Sequence, residues 1–204
     1  MASFKQKFLK ALYPLIMRLS KAGDKGKVLA APAPTAAPVS FYDLAGQLPT
    51  GQPLPFDQFK GRPVLLVNTA SNCGYTNQYA ELQQLAEQYA GQLVVLGFPA
   101  NDFAEQEKAD DNAISQFCQV NFGVSFPLLK KSVVVKQPAQ NPVYQWLTQA
   151  RQNGWNEQAP DWNFSKYLVG ADGRLLNYFG PAVSPLSAAV TSRIAPATDG
   201  RAAR

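Results

Sequence analysis

The stretch "VLLVNTASNCGYTNQYAELQQLAEQYAGQLVVLGFP", residues 64–99, decides the fold. Its two ends, 64–70 and 92–99, are dominated by apolar residues, which is typical of strands covered on both faces. Between them, apolar side chains recur three or four residues apart from Tyr79 to Tyr89, which predicts a helix that Gly91 ends. Strand, helix and strand in this order predict a parallel βαβ unit.

The rest of the chain adds elements of both kinds. The pattern predicts a short strand at 41–44, helices at 110–123, 141–154 and 184–194, and a hairpin over 164–180 with its turn at Asp172-Gly173. We therefore expect an α/β domain with a central mixed β-sheet flanked by helices.

Composition divides the chain into four segments. Residues 1–27 form a basic amphipathic leader, 28–38 a Pro/Ala linker, 39–194 the folded domain and 195–204 a flexible tail. A chain of 204 residues can bury one sizeable core, and nothing in it predicts a second domain.

The leader has several interpretations. Its apolar side chains lie on one helical stripe among lysines, as in segments that bind an anionic membrane surface, and a solvated tail is the alternative. A cleaved export signal is disfavoured, because its apolar run is short and contains Pro14, and basic residues follow it. We expect a cytoplasmic protein that associates with membranes through the leader, with export as the alternative.

Charge and residue types exclude several classes of function. Residues 1–27 carry a net charge of +6, and the rest of the chain carries −1, so a basic groove for nucleic acid is not expected. The chain has no histidine, which excludes Ser-His-Asp triads, Cys-His dyads and ordinary zinc sites. Neither a metal nor another cofactor is predicted.

Cys73 is the first candidate for chemistry. It follows the first core strand and precedes a helix, and the active sites of open α/β sheets lie at this edge. Backbone N–H groups at the start of the helix can stabilise a thiolate there without a histidine. A cysteine that only packs as a small apolar side chain is the alternative.

Three blocks carry a resemblance to a known family. "VNTASNCGYTNQYAELQQL", "VVLGFPANDFAEQE" and "DWNFSKYLVGADG" resemble, in order, the signature blocks of the glutathione peroxidases, over about residues 41–185. The resemblance implies a thioredoxin-like fold and a hydroperoxide reductase that acts in oxidative-stress defence. It implies that Cys73 is the reactive residue, assisted by Gln106, Trp162 and Asn163.

These residue types suit the implied reaction. A thiolate attacks one peroxide oxygen while donors stabilise the charge that develops on the other oxygen. The side-chain N–H groups of Gln106, Trp162 and Asn163 are neutral donors that keep their protons at physiological pH. Taken singly, each residue also has an ordinary interpretation as a loop, core or turn residue.

The block around Gln106 departs from the family pattern "FPCNQFGxQEPG", because here it reads "FPANDFAEQEKA". Asp102 replaces a glutamine and Ala104 a glycine, so we expect the loop that carries Gln106 to follow a different path. Ala100 stands where a cysteine is common, which removes one candidate partner for Cys73.

Cys118, the second cysteine, lies on the apolar face of its predicted helix, as a core thiol would. The segment "ISQFCQVNFGVSFPLL" also resembles the helix that holds the resolving cysteine in the thioredoxin-dependent branch of the family. By this resemblance, Cys118 would form a disulfide with Cys73, which thioredoxin would reduce. The helix would have to open locally for the two to meet.

The implied function is therefore a thiol peroxidase that reduces hydrogen peroxide and organic hydroperoxides and is recycled by thioredoxin. Glutathione as reductant is one alternative, and a redox sensor that passes its disulfide to a partner protein is another. A thioredoxin-like disulfide oxidoreductase is disfavoured, because the chain has no Cys-x-x-Cys pair.

Overall fold

The structure, a computed structural model, describes residues 26–32 and 35–194. The predicted tail, 195–204, and all but the last two residues of the predicted leader lie outside the described residues. Within the described part of the chain, no helix has the length and apolar character needed to cross a membrane.

A five-stranded mixed sheet forms the centre of the domain. Its strands lie in the order β1 (Val28–Ala30), β7 (Leu175–Phe179), β6 (Lys166–Val169), β4 (Val64–Thr69) and β5 (Val94–Pro99). β4 and β5 pair in parallel, as predicted, and the other neighbouring strands pair antiparallel. The predicted mixed α/β sheet is confirmed.

Within residues 26–32 and 35–194, five helices and a small second sheet surround this centre. The helices are α1 (Gln78–Gln88), α2 (Asp111–Phe122), α3 (Pro142–Leu147), α4 (Ala150–Asn153) and α5 (Ala188–Thr191). The second sheet pairs β2 (Ala45–Gln47) with β3 (Pro53–Pro55), and 3₁₀ turns occupy Phe41–Asp43 and Phe56–Phe59.

The sheet separates two hydrophobic clusters. Successive side chains of a strand point to opposite faces, and all six residues of β4 are buried. Val64 and Leu66 therefore pack into one cluster, and Leu65 and Val67 into the other. The apolar run of β4 reflects burial on both faces, as the sequence predicted.

The prediction of a strand at 41–44 is wrong. Residues 41–43 form a 3₁₀ turn, in which the Ser40 hydroxyl oxygen accepts the Tyr42 N–H at 3.2 Å. Phe41 is fully buried, with its ring centre 5.0 Å from that of Phe56 and 5.4 Å from that of Trp146. One deeply buried aromatic residue anchors this segment, rather than the alternating buried and exposed side chains of a strand.

The single helix predicted at 141–154 is instead two short helices, α3 and α4. The side-chain amide of Asn153 donates to the Trp146 carbonyl at 2.7 Å, and that of Asn156 donates to the Leu147 carbonyl at 2.7 Å. These amides take the place of the backbone N–H groups that a continuous helix would supply, so the chain can turn between α3 and α4.

The domain also begins earlier than the predicted boundary at residue 39. Residues 28–30, predicted as linker, form the edge strand β1, and its flanks are fixed as well. The Gly180 N–H donates to the Lys27 carbonyl at 2.7 Å, and the Ala31 N–H donates to the Leu176 carbonyl at 2.9 Å. Linker and strand backbones are both extended, so composition alone did not distinguish them.

Candidate active site

Cys73 lies at the carboxyl edge of the sheet, as predicted. It follows β4 by four residues, is partly exposed, and packs against the cluster that contains Leu65 and Val67. The turn around it is fixed by Thr76, whose hydroxyl oxygen accepts the Cys73 N–H at 3.0 Å and whose own N–H donates to the Cys73 carbonyl at 3.1 Å.

A donor outside the predicted helix turn contacts the Cys73 sulfur. The first three N–H groups of α1 donate to the backbone carbonyls of residues 75–77, at 2.9 to 3.2 Å. The Tyr75 N–H instead lies 3.5 Å from Cys73 Sγ. The turn before the helix, rather than the first turn of the helix, therefore provides this contact.

Gln106 and Asn163 meet directly, although 57 residues separate them in the chain. Asn163 Nδ2 donates to Gln106 Oε1 at 2.9 Å, and both side chains are buried. Because the carbonyl end of Gln106 is turned towards Asn163, its Nε2 amide is left to donate to another group.

The loop that carries Gln106 reaches the site despite its unusual sequence. The Gln106 carbonyl accepts the Asn72 N–H at 3.1 Å, next to Cys73. Ala104 and Glu105 adopt φ values of 53° and 55°, a left-handed conformation that favours glycine. The loop thus contacts the Cys73 turn with alanine and glutamate in a conformation that favours glycine, at a cost in backbone strain.

Trp162 and Asn163 are positioned by the end of β4. The Asn68 side-chain amide donates to the Trp162 carbonyl at 3.0 Å, and the Phe164 N–H donates to the Asn68 carbonyl at 2.6 Å. Phe164 has a φ of 65°, which turns the chain sharply after Asn163. The Trp162 ring packs on Phe103, with 5.5 Å between ring centres, beside the loop that carries Gln106.

Cys118 lies in α2 and is fully buried in the cluster against which Cys73 packs. The structure contains both residues as thiols. Burial raises the pKa of the Cys118 thiol to about 11, and the nearby Tyr79 hydroxyl opposes this effect. The α2 helix begins as predicted, with the Asp110 side chain accepting the Ala113 N–H, and it ends at Gly123, whose φ is 65°.

Sequence analysis assigned no role to two buried charged residues, of which one, Glu107, lies beside the Cys73 turn. Glu107 is 1 % exposed, and its carboxylate binds Ser71, which lies 36 residues earlier in the chain. Lys166 in β6 is fully buried, which lowers its pKa to about 7, and its ammonium group donates to the Val183 carbonyl. No local pattern marks either residue, because their partners are distant in sequence.

Residues 26–32 and 35–194 include no group of three or more acidic or cysteine side chains arranged to hold a metal ion.

Known proteins are similar to this chain in sequence and in fold. The glutathione peroxidase family profile matches residues 41–148. This chain belongs to the glutathione peroxidase family. A glutathione peroxidase-like peroxiredoxin of Saccharomyces cerevisiae is 41% identical over 152 residues, which cover 74% of this chain and 93% of the relative. Another, of Chlamydomonas reinhardtii, is 44% identical over 150 residues, which cover 73% of this chain and 91% of the relative.

Solved structures agree with this glutathione peroxidase assignment. The crystal structure of Trgpx in apo form has a TM-score of 0.59 and 30% identity, and the match covers 78% of this chain and 97% of Trgpx. GPX1 of T. cruzi has a TM-score of 0.56 and 29% identity, with 71% and 88% covered. The predicted thioredoxin-like fold is confirmed, and the protein is a thiol peroxidase of oxidative-stress defence.

Proposed function

We propose that Cys73 reduces hydrogen peroxide and organic hydroperoxides, that Cys118 resolves the oxidised Cys73 as an internal disulfide, and that thioredoxin reduces this disulfide. The observation that carries the proposal is the Gln106–Asn163 pair, which is bonded to the turn that presents Cys73. The relatives named peroxiredoxins support a mechanism based on cysteine alone.

In the first step, the Cys73 thiolate attacks one oxygen of the hydroperoxide. An S–O bond forms, the O–O bond breaks, and the other oxygen leaves as water or an alcohol after it takes up a proton. Gln106 Nε2, Trp162 and Asn163 are the groups proposed to stabilise the charge on the leaving oxygen. Cys73 becomes a sulfenic acid.

In the second step, Cys118 reacts with this sulfenic acid. Cys118 is buried in the middle of α2, so α2 has to open locally before the two sulfur atoms can bond. Cys118 is a buried member of the hydrophobic cluster against which Cys73 packs, so the two residues contact the same cluster.

Four lysines of the domain favour thioredoxin over glutathione, because a site for the glutathione carboxylates needs available cations. Lys166 is buried and bonds loop carbonyls, and the Lys131 ammonium group donates to the Ala109 carbonyl. Lys108 and Lys136 are held in ion pairs with nearby glutamates. These four lysines are already engaged within the chain.

Steady-state turnover separates the reductants. With thioredoxin, thioredoxin reductase and NADPH, we expect sustained consumption of NADPH on addition of hydrogen peroxide. With glutathione and its reductase, we expect a kcat/KM at least about tenfold lower, a difference of about 1.4 kcal/mol in the barrier. Equal or greater turnover with glutathione would refute the choice of reductant. A single turnover that stops with both reductants would instead indicate a redox sensor.

We further propose that the leader associates with anionic membrane surfaces and that the protein is cytoplasmic. The leader's positive charge, set against the near-neutral remainder of the chain, supports this proposal.

Truncation tests the leader. Deleting residues 1–25 should leave peroxidase activity and the urea midpoint unchanged, because β1 and its contacts remain, while binding to vesicles containing phosphatidylserine should be lost. In the full-length protein, added salt should weaken that binding. As a control, deleting residues 1–30 also removes Val28 and Leu29 from the two clusters and should lower the free energy of unfolding by about 2 kcal/mol. Vesicle binding that survives the shorter deletion would contradict the proposal.

A further inference from the structure

The carboxylate of Glu107 has no role in the peroxide-reducing step described above, yet it is buried beside the active site. Its Oε2 atom accepts the Ser71 N–H at 2.7 Å and the Ser71 hydroxyl at 2.9 Å. Burying a carboxylate is costly, so a buried carboxylate that is also bound to the active-site turn calls for a functional explanation.

Three contacts fix the carboxylate on the Cys73 side of the site. Ser71 precedes Cys73 by two residues, and the carbonyl of Gln106 holds the Asn72 N–H between them. The Glu107 N–H itself donates to Asn101 Oδ1 at 2.9 Å. Glu107 therefore stays next to the Cys73 turn when α2 opens and Cys118 moves.

The negative charge of the same carboxylate raises the pKa of the Cys118 thiol and that of the Tyr79 hydroxyl. Because the carboxylate is bonded to Ser71, two residues before Cys73, it lies beside the turn where Cys118 has to meet Cys73. Burial raises the pKa of the Glu107 carboxyl. The Ser71 hydrogen bonds and the positive charge of Lys131 oppose this effect. A carboxylate that binds a proton more readily than usual is a better base.

The resolving step needs a base, because only a thiolate attacks a sulfenic acid efficiently and Cys118 is strongly protonated at neutral pH. We propose that Glu107 is the general base that takes the proton from the Cys118 thiol as its sulfur attacks the sulfenic acid of Cys73. This inference rests on the proposed resolving role of Cys118.

The step balances without an external reagent. The Cys118 S–H bond breaks and its proton moves to the Glu107 carboxylate, while the sulfur pair forms the S–S bond with Cys73. The S–O bond of the sulfenic acid breaks, and the leaving hydroxide takes the proton from Glu107. The products are a disulfide and water, and Glu107 is again a carboxylate.

Two explanations of Glu107 predict opposite results. If the carboxylate only exerts its charge, it hinders ionisation of Cys118, and its removal should speed disulfide formation. If it accepts the proton, its removal should slow that step. The variant Glu107→Gln separates these cases, because a carboxamide oxygen can still accept from Ser71 but cannot take up a proton near neutral pH.

The experiment mixes the reduced full-length protein with one equivalent of hydrogen peroxide at pH 6 to 10. Quenched samples are analysed by mass spectrometry for dimedone-trapped sulfenic acid and for the disulfide, so the two steps are timed separately. For Glu107→Gln at pH 7, we expect disulfide formation to be about 10²-fold slower, with the first step within about threefold of the wild type. The matched control is Glu105→Gln, which removes a partly exposed carboxylate from the same loop and should leave both steps unchanged.

The pH profile of the wild type provides a second readout, and this readout does not depend on the folding of any variant. Between pH 7 and 8, the rate of disulfide formation in the wild type should rise much less than tenfold per pH unit, because Glu107 supplies the base. In Glu107→Gln it should rise about tenfold per unit, because hydroxide must then remove the proton. Glu107→Asp keeps a carboxylate and should fall between the wild type and Glu107→Gln.

Several results would overturn the inference. The first is faster disulfide formation in Glu107→Gln than in the wild type. The second is an equal decrease in the rates of both steps, which would indicate a structural role alone. The third is a tenfold rise per pH unit in the rate of disulfide formation in the wild type. If the wild type forms the disulfide only as fast as Glu107→Gln, Glu107 is not the base, but the resolving role of Cys118 is unaffected. A wild type that forms no Cys73–Cys118 disulfide refutes the resolving role and, with it, the base.

Discussion

Replacing Cys73 by serine is expected to abolish peroxidase activity, to below about 10⁻³ of the wild-type kcat/KM. The serine hydroxyl is not appreciably ionised near pH 7, so no nucleophile remains for the O–O bond. The measurement is NADPH consumption with thioredoxin and thioredoxin reductase, supported by mass spectrometry, which should show no sulfenic acid at position 73.

The fold of this variant should survive, because Cys73 is partly exposed and serine is nearly the same size as cysteine. An unchanged urea midpoint would show that the loss is chemical rather than structural. Substantial turnover by a folded Cys73→Ser protein would place the reactive group elsewhere, and Cys118 would be the cysteine that remains.

Replacing Cys118 by serine should have a different result in the same assays. The first oxidation of Cys73 should be nearly unchanged, because Cys118 takes no part in breaking the O–O bond. Turnover with thioredoxin should collapse, and Cys73 should over-oxidise to sulfinic acid under excess peroxide, since its sulfenic acid has no internal thiol to condense with.

The stability of the Cys118 variant has to be compared with that of the wild type, because Cys118 is fully buried. Burying a serine hydroxyl there should cost about 1–3 kcal/mol, so Cys118→Ala, which buries no hydroxyl, is the matched variant and should show the same kinetics. In the wild type, peroxide should instead give a Cys73–Cys118 disulfide with a lower far-ultraviolet helical signal as α2 opens. Full thioredoxin-dependent turnover by either variant would return Cys118 to the role of a core residue.

Much of the fold could be predicted because local patterns and tertiary burial agree. The apolar runs of β4 and β5 predicted strands buried on both faces, and the stop signals at Gly91 and Gly123 placed the ends of the two main helices closely. The hairpin turn at Asp172-Gly173 was also found, and Gly173 has the positive φ, 80°, that such turns use.

Elements whose conformation depends on distant partners were predicted less well. The edge strand β1 exists because it pairs with β7, about 150 residues later, and the break between α3 and α4 depends on amides that bond back to carbonyls. The 3₁₀ turn at 41–43 is held by aromatic contacts to Phe56 and Trp146. A window of sequence contains none of these partners.

The candidate site shows the same division. The sequence by itself determined that the chemistry rests on cysteine, since there is no histidine, and that Cys73 lies at the carboxyl edge of the central strand. The family resemblance supplied Gln106, Trp162, Asn163 and Cys118 as candidates. It also led us to expect a different loop path at Gln106.

Only the tertiary structure decided how these residues meet. The hydrogen bond from Asn163 to Gln106 and the bonds from Ser71 to Glu107 join segments that lie 57 and 36 residues apart. The burial that gives the Glu107 carboxyl and the Cys118 thiol their raised pKa values comes from the packed cluster around them. Sequence specifies which groups are present, but their distances and dielectric surroundings, which set their reactivity, arise only when separate segments pack together.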